Sequence, residues 1–168
     1  MPLSDADLAQ RLSEADRLAE RFAERAAAHD RAGSFPLANI DELREAGWPG
    51  LVVPTELGGA GAGLRDVVML VERLAAGDGS TALAFTMHLQ TIGSAAESRS
   101  WPADRFAAVC REIAESGALV NACASEPELG SPSRGGLPKT VARWEGGQRD
   151  DGQRDDGRWL ITSRKTFA

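Results

Sequence analysis

Apolar residues recur every three or four positions through the first two thirds of the chain, and alternate with polar ones only after about residue 118. That change of period predicts helices followed by strands. Leu8, Leu12, Ala15, Leu18, Phe22 and Ala26 lie on one face of a first helix, which Ser4 followed by Asp7 caps; its other face is Arg, Glu and Asp. Pro36 opens a second helix with Leu37, Ile40 and Leu43 inward and Gly47 at its end. A third runs from about Leu64 to Ala76, with Val67, Leu70, Val71 and Leu74 on one face and Gly77 as its stop. The fourth, Ser80 to about Ser98, is apolar on most sides through Leu83, Phe85, Met87, Leu89 and Ile92, which predicts a central position. Ser100 and Pro102 open a fifth, with Phe106, Val109, Cys110 and Ile113 inward and Gly117 closing it.

Between the second and third helices, Leu51 to Gly63 is too rich in Gly and Pro for a regular element and is expected to be an extended loop. It lacks the Gly-Lys-Ser/Thr of a phosphate loop, and Gly59, Gly61 and Gly63 do not match the dinucleotide spacing, so close backbone packing between helices is the expected use of its glycines. Three strand-like runs follow, Ala118 to Ser125, Thr140 to Glu145 and Arg158 to Phe167. Before the last of these, Gln-Arg-Asp-Asp-Gly occurs twice in tandem, at 148–152 and 153–157, and its Asp-Gly pairs predict a lengthened, solvated hairpin loop. The expected fold class is therefore mostly α: a bundle of about five helices over residues 1–117, then the first antiparallel strands of an incomplete β-barrel domain over 118–168.

Composition narrows the chemistry. The net charge is −6, with acids and bases interspersed and no basic patch interleaved with aromatics, which argues against nucleic acid. No apolar run approaches the roughly 18 residues a membrane span needs, and a soluble, cytoplasmic protein is expected. Cys110 and Cys123 are read as buried reduced thiols. The two histidines are far apart, so no metal spacing arises, and His88 reads as a hydrogen-bonded packing residue. The aspartates of the tandem repeat lack the ligand order of a calcium loop. The turn Ala124-Ser125-Glu126-Pro127 with Gly130-Ser131 is the informative site: it puts hydroxyls and backbone N–H groups at a strand end, where they can hold a polar cofactor edge or a phosphate. Ser125 is read either as a stabiliser of that turn or as a cofactor contact, and Glu126 as a structural carboxylate.

Gly47-Trp48 through Val53-Pro54, Gly58-Gly59-Ala60-Gly61, Ala124-Ser125-Glu126-Pro127 with Gly130-Ser131, and Trp159 to Phe167 together resemble the amino-terminal two thirds of the acyl-CoA dehydrogenase family. The resemblance runs from about residue 4 to the end. It implies FAD as cofactor, an acyl-CoA thioester as substrate, and oxidation of a CH–CH bond. Ala122, Cys123, Ala124 and Ser125 would run along the flavin edge, with the Ser125 hydroxyl and neighbouring amides on the pyrimidine part of the ring. Ser131 would lie near the pyrophosphate and the acyl-CoA pantetheine arm, and Phe167 would pack against the flavin.

Two departures from the family pattern, Pro132 where an Asp is common and Ala122 where an aromatic is frequent, keep open a flavin-dependent monooxygenase or oxidase of the same fold. The resemblance places the family's catalytic glutamate beyond Ala168, so no catalytic residue is assigned, and the chain alone is expected to be a truncated and inert form. A homo-oligomer, a complementary chain supplying the missing domain, or a non-enzymatic helical interaction module are the partner readings that follow.

Overall fold

The computed structural model describes residues 2–129, 137–148 and 154–166. These fall into two compact units, Met1–Asn121 and Ala122–Ala168. The first is a helical bundle and the second carries an antiparallel strand pair, in agreement with the expected fold class. No helix among the described residues is long and apolar enough to cross a membrane.

Helix α1 spans Asp5–Ala32. Ser4 Oγ accepts the Asp7 N–H at 3.2 Å, Asp5 and Asp7 sit in the positive first turn, and Gly33 closes the helix in the left-handed region at φ 59°. Leu8, Ala15, Leu18 and Phe22 are buried along its inner face. Helix α2, Leu37–Glu45, lies against it through Glu42, which receives Arg21 and Arg25 of α1 at 2.6 Å each. Ile40 and Leu43 point into the core, but Leu37 is 63% exposed. It occupies the first helical position, where the chain is still arriving from Pro36.

The segment between α2 and α3 is compact rather than extended. It forms single 3₁₀ turns at Trp48–Gly50 and Thr55–Leu57, and Trp48, Leu51 and Val53 are almost fully buried. Hydrogen bonds close the segment on itself: Ala60 N–H donates to Gly50 O, Gly61 N–H to Val53 O and Ala62 N–H to Leu51 O, at 2.9 to 3.0 Å. A Cβ on Gly59 would collide with the Val53 carbonyl, so this glycine serves the loop's own folding rather than an approach of two helices.

Helix α3, Leu64–Gly77, buries Leu70 and Leu74 against α1. Asp66 at its third position accepts the Gly63 N–H at 3.1 Å and the Leu3 N–H at 2.8 Å, so one carboxylate caps α3 and pins the start of the chain. Helix α4, Gly79–Ser98, starts one residue earlier than its serine suggested, because Asp78 is the cap and accepts from the N–H groups of Ser80 and Thr81. Asn39 of α2 donates to Asp78 and to Thr81 Oγ1, tying α2 to the same cap. Phe85, Leu89 and Ile92 are buried, whereas Leu83 is 66% exposed. Leu83 lies on the opposite side of α4 from Phe85, so an all-round apolar helix is here only partly enclosed. Helix α5, Ala103–Ser116, buries Cys110 and Ile113 and ends at Gly117, φ 68°.

In the second unit, β1 (Val141–Gln148) pairs with β2 (Arg154–Thr162) in antiparallel register, Trp144 opposite Trp159 with ring centroids 5.6 Å apart. The expected strand Ala118 to Ser125 is not one: it has no ladder partner among the described residues, and only Glu126 makes an isolated bridge. The strand expected from Arg158 to Phe167 instead starts at Arg154 and ends at Thr162, and Phe167 lies outside the described residues. Arg154 to Gly157, most of the second pentapeptide, therefore belongs to a strand and not to a loop, with a register shift between Gly146 and Gln148 absorbing the mismatch.

The tightest helix approach is at Gly77, where a Cβ would overlap the Ala19 backbone of α1. Gly77→Ala should destabilise the helical unit by about 1–3 kcal/mol. Gly79→Ala, where a Cβ meets nothing within 4 Å, should stay within about 0.5 kcal/mol of the parent. Urea unfolding followed by circular dichroism reads both.

Candidate functional site

The segment leaving α5 is organised by a histidine. Ala118, Leu119 and Val120 pack on the helical core, and the Val120 N–H donates to His88 Nδ1 at 3.0 Å. On the other side of the ring, Nε2 lies 2.9 Å from the Pro49 carbonyl. A backbone N–H can only donate and a carbonyl can only accept, so the neutral tautomer with its proton on Nε2 satisfies both bonds. His88 is 2% exposed and lies beside Phe85, with centroids 5.9 Å apart. Burial pushes its pKa below the ordinary 6.5, partly opposed by the Pro49 carbonyl, which favours a proton. The imidazole is a hydrogen-bonded packing residue, as its apolar helix suggested, and it also clamps three elements together.

In the second unit, Ala122, Cys123 and Ala124 are exposed and Ser125 is half-buried. The exposure of Cys123 corrects the expectation of a buried thiol: without a strand ladder around it, nothing in its own unit covers the side chain. Ala124 N–H donates to Ala122 O at 3.0 Å, a tight local turn. The Ser125 carbonyl accepts the Thr166 N–H at 3.1 Å, which ties the turn to the chain after β2.

Glu126 anchors this turn. It is 5% exposed and accepts from the Lys139 N–H at 2.6 Å, the Thr140 N–H at 3.1 Å, the Thr140 hydroxyl at 2.5 Å and Lys165 Nζ at 2.9 Å. The Thr140 hydroxyl first, then Lys165, and then the two backbone N–H groups, lower its pKa from 4.5 to about 2, against a desolvation that raises it. So weak a base cannot draw a proton from carbon near neutral pH, and Glu126 is structural.

The structure thus brings Ala122, Cys123, Ala124 and Ser125 into one exposed stretch, while Ser131 and Phe167 lie outside the described residues. Thr140, Lys139 and Lys165 were not identified from sequence. One signal was available: the chain has only two lysines, and both reach carboxylates of this turn, Lys139 that of Glu128 and Lys165 that of Glu126. Among the described residues, the N–H groups of Cys123 and Ser125 and the Ser125 hydroxyl take no protein partner. With small alanine side chains on either side and the neighbouring carboxylate neutralised by Lys165, the stretch offers uncharged donors on accessible backbone. That donor set fits the polar edge of a flavin ring.

The family model described as "Acyl-CoA dehydrogenase, N-terminal domain" matches residues 6–101. A putative acyl-CoA dehydrogenase, YdbM, of Bacillus subtilis is 40% identical over 151 residues, covering 90% of this chain and 37% of the relative. A probable FMNH2-dependent monooxygenase, SfnC, of Pseudomonas putida is 39% identical over 77 residues, 46% of this chain and 20% of the relative. The crystal structure of a nitrososynthase from Micromonospora carbonacea var. africana superposes with a TM-score of 0.66 at 28% identity, covering 98% of this chain and 38% of that one. The chain therefore spans less than two fifths of the length of each of these three proteins.

Two titrations test the anchors. Protons bind His88 more weakly in the folded than in the unfolded chain, so stability should fall as pH drops below about 6.5. This contribution, bounded by about 1.4 kcal/mol per pH unit for one proton, should be lost in His88→Gln, read by urea unfolding from pH 8 to 5. For Glu126 the depressed pKa means that its stabilising effect is complete above 4.5 and is lost as pH falls through about 2. The amide shifts of Lys139 and Thr140 should titrate with a midpoint near that lower value, and Glu126→Gln should abolish the transition and lower the urea midpoint of the second unit.

Proposed function

The chain belongs to the acyl-CoA dehydrogenase family, and from that membership we propose that it forms part of an FAD-dependent oxidoreductase that oxidises a CH–CH bond of an acyl-CoA thioester. The observation that carries the flavin reading is the turn at Cys123 and Ser125, whose N–H groups and Ser125 hydroxyl take no protein partner among the described residues, next to Glu126 and the four donors that fix it. A bound flavin supplies a two-electron acceptor that no amino-acid side chain provides. The chain's own contribution is binding and orientation. The Ser125 hydroxyl and the N–H groups of Cys123 and Ser125 hydrogen-bond the pyrimidine edge, and Ala122 and Ala124 leave the ring room. Ser131 toward the pyrophosphate and pantetheine arm, and Phe167 against the ring, complete the assignment on the family motif alone. A second copy, or a chain carrying the remaining length of the relatives, is the proposed partner.

A second reading has its own support. The similarity to SfnC and to a nitrososynthase favours a flavin-dependent monooxygenase acting on a substrate other than a CoA thioester. In that reading the same Ala122–Ser125 stretch holds reduced FMN, with Ala122 leaving space where the acyl-CoA dehydrogenase pattern has an aromatic.

Absorbance spectra of the purified chain, incubated with FAD or with FMN and then gel-filtered, test the flavin reading. Retained bands near roughly 370 and 450 nm are expected, with Ser125→Ala lowering the retained fraction several-fold. A colourless chain with both flavins overturns it. Preferential retention of FAD, with protection by an acyl-CoA thioester, favours the dehydrogenase reading. Preferential retention of FMN without such protection favours the monooxygenase.

A further inference from the structure

Lys165 and Thr166, just beyond β2, hold two adjacent residues of the Ser-Glu-Pro turn. The Thr166 N–H donates to the Ser125 carbonyl at 3.1 Å, and Lys165 Nζ donates to Glu126 Oε1 at 2.9 Å. The first bond fixes the peptide plane that follows Ser125, and the second fixes the side chain of the next residue. The other donors described on Glu126, the Lys139 N–H, the Thr140 N–H and the Thr140 hydroxyl, all come from the approach to β1. Among the described residues, Lys165 is therefore the side chain that ties this carboxylate to the segment after β2, and the charged donor on it. Its burial sets it apart. The Lys165 and Glu126 side chains are 22% and 5% exposed, whereas the chain's other lysine, Lys139, pairs with Glu128 at side-chain exposures of 75% and 71%. An ion pair in open solvent holds little. A pair withdrawn from water leaves an uncompensated carboxylate when its lysine is removed.

We propose that Lys165 is a positioning residue of the flavin site, acting through Glu126 and the Ser125 peptide to hold the Ser125 N–H and hydroxyl where a ring edge meets them. The inference rests on the flavin reading of the turn at Cys123 and Ser125. Contact between Lys165 and the ring is not required. Without its ammonium group, the Thr166 N–H alone would link the turn to the segment after β2, and one backbone bond between half-buried residues exchanges with water at small net cost. Ser125 would then sample several orientations. A flavin would have to order it on binding, and affinity would fall by that cost. The neighbouring Arg164 supplies an internal comparison: it carries the same charge, is exposed, and makes no bond to protein among the described residues.

Three variants of the 168-residue chain separate the possibilities. Lys165→Met keeps the stem and removes the charge, Lys165→Arg keeps a cationic donor, and Arg164→Met removes a neighbouring charge that holds nothing. Each chain is titrated with FAD and with FMN and followed by difference absorbance, and its amide NMR spectrum is recorded without flavin. Expected is a flavin affinity about fivefold or more lower in Lys165→Met, largely restored in Lys165→Arg and unchanged in Arg164→Met. In the flavin-free spectrum the Ser125 amide should move in Lys165→Met while the indole signals of Trp144 and Trp159 stay in place, a separation that loss of the whole unit would not give. Equal flavin affinity in Lys165→Met and the parent overturns the proposal and leaves the flavin reading standing. An equal loss in Lys165→Met and Lys165→Arg overturns it too, as do indole signals that collapse together with the Ser125 amide, since Lys165 would then serve folding alone. A parent chain that takes up neither flavin is the separate outcome in which the flavin reading falls and the proposal with it.

Discussion

A segment of 3₁₀ turns and loop runs through the core of the helical unit, and the bundle depends on the hydrogen bonds that close it on itself. Trp48, Pro49, Leu51, Val52 and Val53 are buried, yet only a single 3₁₀ turn at Trp48–Gly50 is there to occupy their peptide groups. Buried amides left unpaired would cost about 1–3 kcal/mol each. The loop meets this by folding back so that residues 60–62 bond to residues 50–53. Trp48 makes the same accommodation with its side chain: fully buried, it lies 6.5 Å from the Phe85 ring and gives its indole N–H to Glu14 of α1 at 3.0 Å. The Pro49 carbonyl, beside it, is the acceptor for His88. Helices α1, α4 and the segment leaving α5 are all registered against this one turn.

His88 and Glu126 play parallel parts on either side of the junction between the units. Each is a buried side chain that spends its hydrogen-bonding capacity on backbone or on residues distant in sequence, and each holds one end of the stretch from Val120 to Glu126. The residues between them are small, and Ala122, Cys123 and Ala124 are exposed. A backbone presented in this way suits recognition of a polar ring edge, where affinity comes from N–H groups held in position rather than from a flexible charged side chain.

The helices were legible because capping and spacing act locally. Ser4 and Gly117 mark ends that the structure keeps, and Leu70, Phe85 and Ile113 face inward as their periods require. Leu37 and Leu83 were misplaced because periodicity shows that a face is apolar without showing whether a neighbour covers it. Ala118 to Ser125 reads as a strand on composition, but a strand is defined by its partner, and this stretch instead gives an N–H to an imidazole 32 residues earlier in the chain. The tandem pentapeptide misled through its Asp-Gly pair. Gly157 sits opposite Gly146, where a Cβ would strike the Trp144 ring, so this glycine makes room for a cross-strand aromatic and does not turn the chain. At the candidate site, the turn itself was visible in Ser-Glu-Pro. The donors that converge on Glu126 were not, since they come from 13 to 39 residues away.

The facing pair Trp144 and Trp159, ring planes 69° apart, has an optical consequence. Two indole transition dipoles held this close and this oblique are excitonically coupled, and the resulting dichroic couplet exists only while the two strands are in register. The helical unit has its own indoles, Trp48, buried and bonded to a carboxylate, and Trp101, edge-on to Phe106. The molecule therefore carries separate intrinsic chromophores for its two units, and the order in which they fold can be watched without attaching a label to either.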